Sequence, residues 1–157
     1  MKKLAYGFLV LLCVVFVTGC GSDDSSSYKT EKCTNKMSTN DMEYTADYEL
    51  RLKDDTHVKS VKTTETIKSS NSDYLDTTKK SIEDLYDNVN KKYGGYSCSV
   101  KISGDTLTSE CVIDYDKMDL KQYIQDNPTA KVIVDDDYKA TVEGLKTTYK
   151  ALGAKCD

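Results

Sequence analysis

The chain has 157 residues with 22 basic and 26 acidic side chains, one histidine, one proline, no tryptophan and a net charge of −4. That length suits one domain with its own core. A net acidic chain with scattered lysines argues against nucleic acid as a partner, because phosphates need a basic face. No phosphate loop, dinucleotide fingerprint, internal repeat or second domain is visible.

The first predicted element is a leader. Lys2 and Lys3 precede an uncharged apolar run from Leu4 to Val17. This run is too short for a hydrocarbon core, which takes roughly twenty residues, and has the length of a secretory h-region. It ends in Val17-Thr18-Gly19-Cys20, the pattern of a bacterial lipobox. The expectation is a lipoprotein signal peptide over residues 1–19 and a lipid (diacylglycerol with acyl chains such as palmitate) on Cys20. Residues 20–30 form the lipidated N-terminus and a flexible tether, with Gly21 to Ser27 reading GSDDSSS. Residues 31–157 form the domain. Loss of the leader, which holds two lysines and no acid, leaves 138 residues with a net charge of −6. Both phenylalanines leave with it, so tyrosine is the only aromatic residue of the mature chain. A tyrosine-rimmed core is expected, with hydroxyls near water or a partner.

Glu31 to Ser38 reads as a weak strand. Met42 to Lys53 alternates strictly, with Met42, Tyr44, Ala46, Tyr48, Leu50 and Leu52 on one face. Val58 to Lys68 is a threonine-rich strand, and the opposite parity of Val58 and Val61 predicts a bulge between them. Capping residues at 70–73 then open a helix. Its stripe is Leu75, Ile82, Leu85, Tyr86, Val89 and Tyr93, and Gly94 ends it. Ser97 to Ser103 and Thr106 to Tyr115 flank Gly104-Asp105, a two-residue hairpin turn. That turn pairs Ile102 with Leu107, Val100 with Ser109 and Cys98 with Cys111. A short helix over Lys117 to Ile124 and a short strand over Lys131 to Val134 follow. Asp135 to Asp137 are expected to cap a final helix with the stripe Tyr138, Val142, Leu145, Tyr149 and Leu152. The fold class is α+β: one antiparallel sheet of five to six strands with two main helices on one face, in the order β-β-β-α-β-β-α.

Cys33, Cys98, Cys111 and Cys156 remain beside the lipidated cysteine, since Cys13 leaves with the leader. An even number outside the cytosol favours disulfides. The hairpin register selects Cys98–Cys111 and leaves Cys33–Cys156. Zinc would want close pairs such as C-x-x-C, which are absent, and a redox pair lacks its spacing. Four free thiols are the rival state.

No catalytic constellation is apparent. His57 reads as a solvated turn residue, and Asp135-Asp136-Asp137 lacks the alternating ligands of a calcium loop. No metal or cofactor is expected. Tyr93-Gly94-Gly95-Tyr96 places two tyrosines on a flexible turn, and Tyr93 and Tyr96 are the candidate ligand-binding pair, able to stack on a sugar or peptide.

The lipobox, the segment DYELRLKDDTHVKSVKTTETI, the stretch from SIEDLYDNVNKKY to VIDYDKMDLKQY and the terminal TYKALGAK together resemble the YehR-like family of small bacterial lipoproteins of unknown function. The resemblance runs over nearly the whole mature chain. It implies a single α+β lipoprotein domain and carries no activity and no catalytic residues. The four mature cysteines do not look like part of the family pattern, which makes the disulfides a local addition for stability.

Two functions stand on this reading. One is a non-enzymatic binding or interaction module, held to the cell membrane through Cys20 on the extracytoplasmic side, with an envelope protein or glycan as partner. The other is a small envelope enzyme with a carboxylate and tyrosine site. A deep pocket with converging acids favours the enzyme, and a tyrosine-lined surface favours the binder.

Overall fold

The structure is a computed structural model and describes residues 28–39 and 41–157. The signal peptide at 1–19, Cys13, the lipidation site Cys20 and the tether as far as Ser27 lie outside the described residues.

Six antiparallel strands form one sheet: β1 (Thr30–Ser38), β2 (Met42–Leu52), β3 (Val58–Ser69), β4 (Tyr96–Ser103), β5 (Thr106–Asp114) and β6 (Lys155–Cys156), in the spatial order β4-β5-β3-β2-β1-β6. The helices are α1 (Ser72–Tyr93), α2 (Leu120–Asp126) and α3 (Val142–Ala151). The fold class read from the sequence therefore stands, with β6 added at the end of the order.

The alternation of β2 has its predicted consequence: Tyr44, Ala46, Tyr48, Leu50 and Leu52 are all buried. Arg51 faces Ser60 while Leu52 faces Val58, so Lys59 is the extra residue of a bulge. The bulge puts Val58 and Val61 on the same face despite their parity, and both are buried. The β4–β5 hairpin has the register set by Gly104-Asp105, including Cys98 opposite Cys111.

Helix α1 starts where Asn71 accepts a hydrogen bond from the Tyr74 amide, a cap that contributes about 1 kcal/mol. It ends at Gly94, whose φ of 68° suits glycine. Its buried residues are Leu75, Ile82, Tyr86 and Tyr93. Helix α3 covers the other half of the same face, where Tyr149 stacks on Tyr48 with ring centroids 4.1 Å apart. Such a pair adds about 0.5–1.5 kcal/mol beyond its buried area.

Four expectations in the C-terminal third are corrected. The short helix begins at Leu120, because Asp119 caps it and residues 114–118 form a turn. Residues 131–134 are not a strand: Pro128–Ile133 is a 3-10 helix opened by the proline, and Val134 only bridges to Ala140. The final helix is capped by Thr141, whose hydroxyl accepts from the Gly144 amide, and not by the aspartates. Tyr138 therefore lies outside the helical stripe, in a loop with φ of 59°.

Candidate functional site

Beneath the first three turns of α1 lies a cavity of about 620 Å³. Its buried lining is Tyr44, Glu65 and Ile67 from the sheet and Ile82 from α1. Alternation on β3 places Glu65 on the inward face with Val61, Thr63 and Ile67, so an acid occupies a core position. Its cross-strand neighbours are Ala46 and Ser109, both small and fully buried. Small neighbours on both sides, under a helix that offers Thr77, Thr78 and Ser81 at this level, leave the space unfilled.

Glu65 is only 4% exposed, and burying a carboxylate is costly without hydrogen bonding. The Tyr44 hydroxyl donates to Glu65 Oε1 at 3.0 Å. Burial, and after it the charge on Glu65, hold the Tyr44 phenol far above the usual tyrosine range. Tyr44 therefore keeps its proton at any ordinary pH and donates it to Glu65 Oε1. The rim carries Asn71, Asp73 and Tyr74. Among the described residues the lining contains two acids, Glu65 and Asp73, and no histidine, cysteine, lysine or arginine.

The predicted pair Tyr93 and Tyr96 is brought together at the other end of α1. With Tyr86 and Tyr123 they line a groove of about 280 Å³. Tyr93 is the last residue of α1 and is buried, and its hydroxyl donates to Asp126 at 2.9 Å. Its ring meets Tyr123 edge to face at 5.2 Å. Lys92 pairs with the same Asp126 at 2.7 Å, which with the Tyr93 hydroxyl holds that carboxyl below the usual range. Tyr96 opens β4 and is half-buried.

His57 is not the solvated turn residue its neighbours suggested. Its Nδ1 lies 2.9 Å from Asp54 Oδ2 and its Nε2 3.0 Å from Asp135 Oδ2. These two bonds hold the imidazole above its ordinary value of 6.5. Asp54 and Asp135 sit on opposite ring nitrogens, so the three groups do not converge on one point. The cysteines are joined as Cys33–Cys156 and Cys98–Cys111, with Cα atoms 3.9 and 4.0 Å apart.

The sequence reading missed Tyr44, Glu65 and the Asp54–His57–Asp135 cluster. Glu65 had a signal, since its parity matches the apolar residues of β3. Asp135 had none, because it reaches His57 across 78 positions.

No protein-family model matches the chain, and no curated protein matches it. Two solved structures are similar in fold. One is the NMR structure of E. coli YehR protein, 18% identical, covering 83% of this chain and 92% of that one, with a TM-score of 0.52. The other is the NMR structure of a protein from Streptococcus pneumoniae TIGR4, 16% identical, covering 91% and 93%, with a TM-score of 0.48.

Proposed function

We propose that the chain is a lipid-anchored extracytoplasmic binding module of the YehR-like kind, and that the cavity under α1 is its ligand site. The observation that carries the reading is the buried Tyr44–Glu65 pair at the floor of a 620 Å³ cavity. A large, mostly apolar cavity with a few fixed polar groups is the form a small-molecule site takes. The similarity to YehR protein supports the fold alone. The lipobox ending at Cys20 supports the anchor, and the two or three chains of that modification give stable attachment where one would not. The groove at Tyr93 and Tyr96 is a second subsite, with stacking faces for a glycan or peptide.

The carboxylate–tyrosine pair is also what the enzyme reading calls for. It is the weaker reading, because acid–base hydrolysis of a glycoside needs two acids flanking the bond. Here one acid is buried at the floor and the other, Asp73, is exposed at the rim. Nor does a nucleophile–base pair line the cavity among the described residues.

The test is a ligand screen on the full chain in lipid nanodiscs, repeated with Ser81→Trp, which fills the cavity mouth. A ligand that raises the melting temperature of the wild type and leaves Ser81→Trp unmoved supports the reading. Turnover of an ester, peptide or glycan substrate that is lost in Glu65→Gln overturns it in favour of the enzyme. The anchor is tested separately: Cys20→Ala is expected to move the protein out of the membrane fraction and to remove its thioether-linked lipid.

A further inference from the structure

The charge pattern of the cavity decides which ligands it can hold. Every ionisable side chain with a carboxyl or amine in the lining is acidic: Glu65 at the floor and Asp73 at the rim. The remaining polar lining consists of hydroxyls and the Asn71 amide. Among the described residues of the lining, the positive feature is the N-terminus of α1. That end is already occupied, because Asn71 caps the Tyr74 amide and Asp73 places a negative charge in the first turn.

An anion entering this cavity would meet the Glu65 carboxyl in a medium of low dielectric, with no basic side chain among the described lining residues to pair with. A neutral apolar molecule would fill the volume and offer the buried Glu65 carboxyl no further hydrogen bond. A cation loses water too, yet gains a charge-assisted hydrogen bond to a carboxylate whose position is fixed by Tyr44 at 3.0 Å. Ile67 and Ile82 supply apolar contact for a hydrocarbon body, and Tyr44 and Tyr74 add aromatic side chains, a residue type that attracts cations.

Resting on the cavity's role as the ligand site, we infer that it selects a small organic cation: an amine or guanidine head that reaches Glu65, carried on an apolar body that fills the space between α1 and the sheet. Glu65 supplies specificity, and Asp73 at the mouth draws the head inward.

Three probes of nearly equal size separate the classes: 2-phenylethylammonium, 2-phenylethanol and phenylacetate. They are titrated calorimetrically into the full chain in nanodiscs, with empty nanodiscs subtracted. The expected order places the ammonium at least about tenfold tighter than the other two, the ratio one charge-assisted bond provides. Glu65→Gln removes that preference and leaves the alcohol nearly unchanged. Should Glu65→Gln fail to fold, Asp73→Asn serves, since Asp73 is exposed. It is expected to weaken the ammonium about twofold to threefold, in a manner that salt also reproduces. The wild-type preference itself persists at about 0.5 M salt, because a buried pair is poorly screened.

A preference lost at that salt assigns the selectivity to Asp73 and overturns the role of Glu65. Alcohol or carboxylate binding as tightly as the ammonium, and blocked by Ser81→Trp, overturns the cation class while the cavity remains the ligand site. No probe binding in a way Ser81→Trp blocks overturns both.

Discussion

His57 is held by two carboxylates from distant parts of the chain, and each ring nitrogen has one. Only the doubly protonated imidazolium donates to both at once. Folding therefore raises the His57 pKa above 6.5. A raised value means that the clamp contributes its full stability below about pH 6.5 and loses it as pH climbs through the folded value. The carboxylates act in the opposite sense. Asp54 is depressed first by the Thr56 amide and then by His57, and Asp135 first by the Lys139 amide and then by His57. Their share is present above the ordinary aspartate range and is lost progressively as pH falls below it. The difference in melting temperature between the wild type and His57→Gln should be largest near pH 6 and shrink toward about pH 9. A gap that stays constant over that range would show that His57 is bound as the neutral ring.

At the scale of elements, close approach of backbone decides which substitutions matter. Gly144 lies inside α3, where alanine is normally favoured by about 1 kcal/mol. A Cβ at Gly144 would come 2.1 Å from the Val132 carbonyl oxygen and 2.7 Å from the capping Thr141 hydroxyl. The 3-10 helix and α3 would have to separate, and overpacking of this kind costs about 1–3 kcal/mol or more. Gly144→Ala is thus expected to destabilise the domain, with the clash outweighing helix propensity. Gly104→Ala, at φ of 60° with no atom within 4 Å, should cost only the left-handed penalty of about 1–2 kcal/mol. Chemical denaturation of both variants checks the order. The same contrast explains what was legible in the sequence. The hairpin, the long strands and α1 were readable because turn chemistry, period and caps agree locally there. Residues 128–141 were not, because their conformation is set by packing on α3 and on the β2–β3 turn. Glu65 was read as part of a threonine-rich strand, and the cavity above it depends on which helix residues arrive there, which parity alone does not show.

Across the whole molecule the two disulfides lie on one line. Cys98 faces Cys111, Cys111 faces Thr63, Thr63 faces Tyr48, Tyr48 faces Cys33, and Cys33 faces Cys156. This row crosses all six strands, and its end pairs fasten the two edge strands, β4 and β6. Edges are where a sheet frays or recruits foreign strands. The two edges differ in what else holds them. Strand β4 makes eight pairings with β5 and packs against α1. Strand β6 makes two pairings with β1, supported by Lys146, which bonds both Glu31 and the Asp157 carbonyl. The loops also differ, with separations of 13 residues for Cys98–Cys111 and 123 for Cys33–Cys156. The chain-entropy relation gives about 3 kcal/mol for the first and about 5 kcal/mol for the second. For a domain of this size each kcal/mol moves the melting temperature by about 3–4 °C. Replacing Cys98 and Cys111 by alanine should therefore lower it by about 10 °C, and replacing Cys33 and Cys156 by about 15–20 °C. Hydrogen exchange distinguishes the local consequences: the first variant keeps protection along β4, while the second loses it along β6 and the adjoining edge of β1. Non-reducing peptide maps of protein isolated from cells with thiols blocked provide the direct check. Finding Cys98 joined to Cys33 or to Cys156 would break the row, and four free thiols would mean that the edges are held by strand pairing and packing without a covalent link.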